Sequence, residues 1–231
     1  MPNPIYCTTI CIRDHKPELL SLHLYRLSKI AIAINVELDI SQLKKTILVL
    51  ARHKGELAVR ISITKEQVLG FDMETFAIRS NPIQAKIRCH NTYKKTLYGK
   101  EKISLKEDTY MYYDEQGLLE GSWFNIFVEN EYGCILTPPL GKIIAGTMRS
   151  AVLYTLHRMQ LPYKIVHIDP NNNETYFATT ALRILQPINQ RNVHPNILEI
   201  QQKTKQFIKN NELDIYNFWI SEIQTTEYLY V

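Results

Sequence analysis

The chain has 231 residues, 45% of them hydrophobic and 22% charged, with a net charge of +4; that is enough for two modest domains, each with a core of its own. No apolar run reaches membrane-spanning length and the Met-Pro-Asn-Pro start has no basic-then-apolar leader pattern, so a soluble cytoplasmic protein with no membrane partner is expected. The lysines are spread out rather than gathered into a stripe with aromatics, which argues against nucleic acid, and the four cysteines lack metal-ligand spacing and read as free thiols.

In chain order, the β-branched run Ile5 to Ile12 predicts a strand that stops at the turn-like Asp14 to Pro17 segment. Leu19, Leu22, Leu24, Leu27 and Ile30 then recur at helical spacing, and Ser41 is placed to cap a second helix carrying Leu43, Ile47 and Leu50. Alternation over Leu57 to Ile63 predicts another strand. Asn81-Pro82 breaks the pattern and divides the chain into an amino-terminal domain, 1–82, and a carboxy-terminal domain, 83–231. Short strands are expected over Ile83 to Cys89, Tyr110 to Tyr113, Trp123 to Val128 and Cys134 to Leu136, the last closed by Pro138-Pro139. A helix from Met148 to Met159, a strand near Ile165 and a final helix over Ile197 to Ile208 complete the pattern.

The chemistry is concentrated between Lys94 and Arg149, which contains Lys-Lys-Thr, Gly-Leu-Leu-Glu-Gly-Ser-Trp-Phe-Asn-Ile-Phe, Leu-Thr-Pro and Gly-Thr-Met-Arg in that order. Gly146 permits close backbone approach, and Thr147 is read as the cap of the following helix, whose first amides make a seat for an anion.

These pieces in this order resemble the class IV aminotransferase and lyase family, whose members use pyridoxal 5′-phosphate (PLP). Gly117, Glu120, Asn125, Ile126 and Phe127 match its central motif; Thr137-Pro138, Gly146 and Arg149 match its last. His23-Leu24-Tyr25-Arg26-Leu27 resembles its His-Leu-x-Arg-Leu helix. The resemblance implies an α+β, two-domain fold of type IV, with an amino-terminal α/β sandwich, a carboxy-terminal β-rich pseudo-barrel, PLP in the cleft between them, and a homodimer. It also implies roles. Lys95 would bind the cofactor covalently, Glu120 would face its pyridine nitrogen, and Arg26 with Thr147 and Met148 would hold its phosphate.

The Lys95 to Glu120 interval, 120 − 95 = 25 residues, is shorter than the family pattern, and Tyr98-Gly99-Lys100 replaces the usual Asn-Arg or Asn-Tyr. Lys94 and Lys86 therefore stand as second and third choices. On the substrate side, Thr9 matches the strand threonine of the 4-amino-4-deoxychorismate lyase branch, and Thr180 in Thr-Thr-Ala matches the family's substrate-side turn. The lyase reaction is the leading expectation; a branched-chain or D-amino-acid transaminase, or a family member that no longer turns over, are the alternatives.

Overall fold

Two consecutive residues in the left-handed region, Asp14 at φ 49° and His15 at φ 62°, reverse the first strand, β1 (Tyr6–Arg13), onto a two-residue edge strand, β2 (Lys16–Pro17). Pro17 is tolerated there because β2 lies at the sheet edge. The computed structural model describes residues 6–53, 56–63, 72–77, 83–89, 109–171, 174–189 and 194–225. Their elements fall into two compact units.

In the first unit β1 pairs antiparallel with β3 (Leu57–Ile63), and β3 with β4 (Asp72–Phe76), giving the order β2-β1-β3-β4. Helices α1 (Leu20–Ala33) and α2 (Ile40–His53) supply the apolar layer against it. Ile10 and Ile12 from β1, Val59, Ile61 and Ile63 from β3, Leu24 and Leu27 from α1 and Leu43 and Ile47 from α2 share this core. The period of two on the strands and of 3.6 on the helices therefore meet across one interface. The α2 cap is Asp39, whose carboxylate accepts from the Gln42 amide at 2.8 Å, and not Ser41, which lies inside the helix.

The second unit holds two sheets. In the three-stranded one, β5 (Lys86–Cys89) runs parallel to β6 (Tyr110–Asp114), which pairs antiparallel with β7 (Gly117–Gly121). The five-stranded sheet has the order β10-β9-β8-β11-β12, formed by β8 (Asn125–Glu129), β9 (Ile135–Thr137), β10 (Tyr163–Ile165), β11 (Thr175–Thr180) and β12 (Arg183–Pro187). Ile126, Val128, Ala178, Met111 and Leu118 fill the core that the two sheets share. Helix α3 (Thr147–Arg158) crosses between β9 and β10 and is buried from Thr147 to Leu156. It is covered by α4 (Pro195–Asn210) and α5 (Glu212–Thr225) through Tyr154, whose ring meets Phe207 and Phe218 edge-on. All four cysteines are free thiols. Among the described residues no helix is long and apolar enough to cross a membrane.

The β6–β7 hairpin depends on Gly117, at φ 121°, where a Cβ would sit 2.5 Å from the Ile168 carbonyl oxygen. Gly117→Ala is expected to destabilise the protein by about 1–3 kcal/mol, because both the backbone angle and the contact resist a side chain. Urea unfolding measures this; an unchanged midpoint would contradict it.

Candidate functional site

The end of β7, the start of β8, the end of β11 and the start of α3 come together in the second unit. Glu120, the fourth residue of β7, is 5% exposed. Its Oε2 accepts from the Ile144 amide at 2.9 Å and from Asn125 Nδ2 at 3.5 Å. The same Asn125 amide donates to the Ile144 carbonyl at 2.8 Å. These bonds fix the position of the carboxylate on β7. Gly146 lies against Asn125 Oδ1 so closely that a Cβ would occupy the oxygen's place. That contact explains the glycine.

Gly146, not Thr147, is the N-cap of α3, and no side chain makes a capping bond there. Thr147 is the first helical residue, 3% exposed, and Met148 follows at 2%. The first turn contains no acidic residue, so its amides and the helix dipole favour an anion. Across the β8/β11 ladder Thr179 stands opposite Asn125, on the same face of the sheet. It is 1% exposed, and its hydroxyl has no hydrogen-bond partner among the described residues. A buried hydroxyl left so costs about 1–3 kcal/mol, which a ligand acceptor would offset. Thr180, the residue singled out from sequence, instead closes the β11–β12 turn by accepting from the Leu182 amide at 3.1 Å. Next to that turn the Arg183 guanidinium stacks on Trp123, 5.2 Å from the ring centre.

Arg149, the last residue of the Gly-x-x-Arg motif, is completely buried. It forms an ion pair with Glu222 of α5 and donates to the Pro138 carbonyl at 3.1 Å. The second carboxylate oxygen of Glu222 accepts from Ser150 at 3.4 Å. Glu222 was not legible from sequence, because its partner lies 73 residues away.

In the first unit, Arg26 on α1 donates to the Thr8 hydroxyl, which also bonds His23 Nδ1 at 2.7 Å. Thr8 and His23 are each 1% exposed. Burial, and then the neighbouring Arg26 charge, hold the His23 pKa well below its usual value and keep the ring neutral. Thr9, the strand threonine matched by sequence, lies next to Thr8 and so on the opposite face of β1, paired with Arg60. The structure thus brings Thr8, rather than Thr9, together with Arg26. Lys95 and Lys94 lie outside the described residues. Lys86 is exposed on β5, opposite Tyr110.

These features define an α+β enzyme scaffold with a fixed carboxylate beside an anion-favouring helix start. The backbone matches solved fold IV structures. A 4-amino-4-deoxychorismate lyase from Pseudomonas aeruginosa superposes with a TM-score of 0.65 at 16% identity, over 90% of this chain and 92% of that one. A branched-chain aminotransferase from Thermoproteus uzoniensis gives 0.71 at 18% identity, over 93% and 89%. The PLP-bound form of a hypothetical aminotransferase from Mycobacterium tuberculosis gives 0.74 at 13%, over 89% of each chain. No curated protein sequence matches. The family model for amino-transferase class IV matches residues 70–191, more than half of the 231. The chain belongs to that family of PLP-dependent enzymes.

Two outcomes follow from these buried groups. Glu222→Leu leaves Arg149 buried and unpaired and is expected to cost about 3–5 kcal/mol, whereas Arg149→Met with Glu222→Leu recovers most of that loss; chemical denaturation of the three proteins measures both. Because the folded His23 pKa lies below the unfolded one, the unfolded chain takes up a proton that the folded chain refuses. Stability is therefore full above about pH 6.5 and falls below it by about 1.4 kcal/mol per pH unit, until the folded ring itself titrates. Urea midpoints at pH 7, 6 and 5 should show a steeper acid loss in the wild type than in His23→Gln.

Proposed function

We propose that this chain is a PLP-dependent lyase that eliminates pyruvate from 4-amino-4-deoxychorismate and leaves 4-aminobenzoate, a folate precursor. The observation that carries the cofactor reading is Glu120, a buried carboxylate pinned through Oε2 by the Ile144 amide and Asn125. Such a carboxylate holds a proton on a pyridine nitrogen placed against it. The acid-free first turn of α3 and the unpartnered Thr179 hydroxyl fit the phosphate. Thr147 and Met148 offer it backbone amides, and Arg26 a charged donor. When bound, PLP supplies an electron sink for the bonds broken at the substrate carbon.

Lys95 is the residue proposed to hold the cofactor covalently and, once released, to move the proton at the substrate carbon. Thr9 and Thr180 are proposed substrate contacts. Aromatisation of the ring drives the elimination. The enzyme is proposed to act as a cytoplasmic homodimer, with residues 1–82 and 83–231 as its domains.

The lyase assignment is supported by the Thr-Thr-Ile strand and by Gly-Thr-Met-Arg, both of which resemble the lyase branch. A second reading is transamination of a small amino acid, since solved structures of the same fold include a branched-chain aminotransferase as well as the lyase.

Borohydride reduction of the PLP-loaded protein, followed by peptide mapping, is expected to place the cofactor on Lys95. Modification of Lys94 or Lys86 would move the role to that residue. Incubation with 4-amino-4-deoxychorismate is expected to release pyruvate and 4-aminobenzoate in equal amounts. Amine transfer to a 2-oxo acid without pyruvate release would establish the transaminase instead. A protein that neither reduces nor turns over has kept the fold and lost the chemistry.

A further inference from the structure

Among the described side chains, the layer between β1 and α1 is apolar except around Thr8. Ile10 and Ile12 on β1 meet Leu24 and Leu27 on α1, yet Thr8, on the same face two residues earlier, meets His23 and Arg26. A valine and a leucine at positions 8 and 23 would pack in such a layer with no hydrogen bonds to satisfy, and burying polar groups there is unfavourable unless each is bonded. The bonding pattern is directional. Arginine only donates, so Arg26 Nη2 uses one lone pair of the Thr8 oxygen. The single hydroxyl proton of Thr8 is then available to His23 Nδ1, 2.7 Å away, provided that Nδ1 is bare and the ring carries its proton on Nε2. His23 and Arg26 lie three residues apart on α1 and so face Thr8 together.

We propose that Thr8 and His23 are positioning residues for Arg26, forming a one-way chain in which neutral His23 orients the Thr8 hydroxyl and Thr8 fixes the plane of the Arg26 guanidinium for an anionic phosphate. This rests on the reading of Arg26 as the arginine that holds the PLP phosphate. A guanidinium presents its donors in a rigid fork, so anchoring one nitrogen sets the direction of the others. Unlike Arg26, neither Thr8 nor His23 touches the phosphate in this arrangement.

The test uses the full-length apo protein titrated with PLP and, separately, with pyridoxal, which lacks the phosphate. The ratio of the two affinities reports the phosphate grip and is insensitive to a general loss of fold or of the covalent link. Thr8→Val is expected to lower that ratio about tenfold, the scale of one lost hydrogen bond to a charged group, and Thr8→Ser to restore it. An unchanged ratio in Thr8→Val, with Arg26→Gln lowering it, overturns the positioning role alone. An unchanged ratio in Arg26→Gln overturns the reading of Arg26 itself. A measurement on the wild type covers the case in which Thr8→Val does not fold. In nitrogen-15 spectra of the imidazole, His23 is expected as the neutral Nε2–H tautomer at pH 7, and a proton on Nδ1 would overturn the chain.

Discussion

The second unit is organised around the side chain of Asn125. Its Nδ2 donates to the Ile144 carbonyl and reaches Glu120 Oε2, the Ile144 amide donates back to that same carboxylate oxygen, and Gly146 packs on Oδ1. One amide therefore ties β7, which carries the carboxylate, to the segment that enters α3. Because Asn125 opens β8 and stands opposite Thr179 of β11, the constraint extends into the five-stranded sheet. No larger residue fits at 146 without pushing the asparagine away. Remove the asparagine amide, and both the Ile144 carbonyl and the carboxylate lose a donor in a place that water barely reaches.

The polar groups of both units are concentrated where the surroundings are otherwise apolar. Glu120, Asn125 and Thr179 are buried at one end of a core made of Ile126, Val128, Ala178, Met111 and Leu118. Thr8 and His23 border a core made of isoleucine, leucine and valine. Folding alone would favour hydrocarbon at all five positions. Positions that break the local rule in this way are where function is expected to reside. Arg149 is a different case. Its charge is matched by Glu222 and its remaining bond goes to a backbone carbonyl, so it serves the packing of α3 against α5.

The elements read most directly from sequence were those with one buried face. Leu57 to Ile63 alternates and forms β3 over that span, and the leucines of α1 recur at helical spacing on its buried side. Strand β7 was not read as an element, since Gly-Leu-Leu-Glu-Gly is buried on both faces from Leu118 onward and has no alternation to detect. Helix α5 was also missed. Its inward stripe combines Ile215 and Trp219 with the carboxylate of Glu222, and a carboxylate reads as an outward position until its arginine is known. Among the proposed site residues, motif order pointed to Glu120, Arg26 and the α3 start. It could not choose between Thr8 and Thr9, because alternation says that neighbours face opposite ways without saying which faces the helices. Nor could it show that Thr179 is buried without a described hydrogen-bond partner while Thr180 accepts a turn bond from the Leu182 amide.

The family match ends at residue 191, but the charge balance of its motif does not. Arg149 lies within the matched segment and its counter-ion, Glu222, lies beyond it on α5. The same carboxylate lies 3.4 Å from the Ser150 hydroxyl, whose single proton it shares with the Gly146 carbonyl at 3.3 Å. Glu222 is thus two polar contacts away from the glycine that touches Asn125, and Asn125 is in turn bonded to Glu120. A continuous path of polar contacts runs from the carboxy-terminal helix through the first turn of α3 to the carboxylate on β7. An unpaired arginine at the start of a helix would also oppose the dipole there. By pairing it, Glu222 removes that repulsion and leaves the helix dipole as the source of positive potential at the α3 amides, so α5 stabilises the first turn of α3 as well as the packing around it.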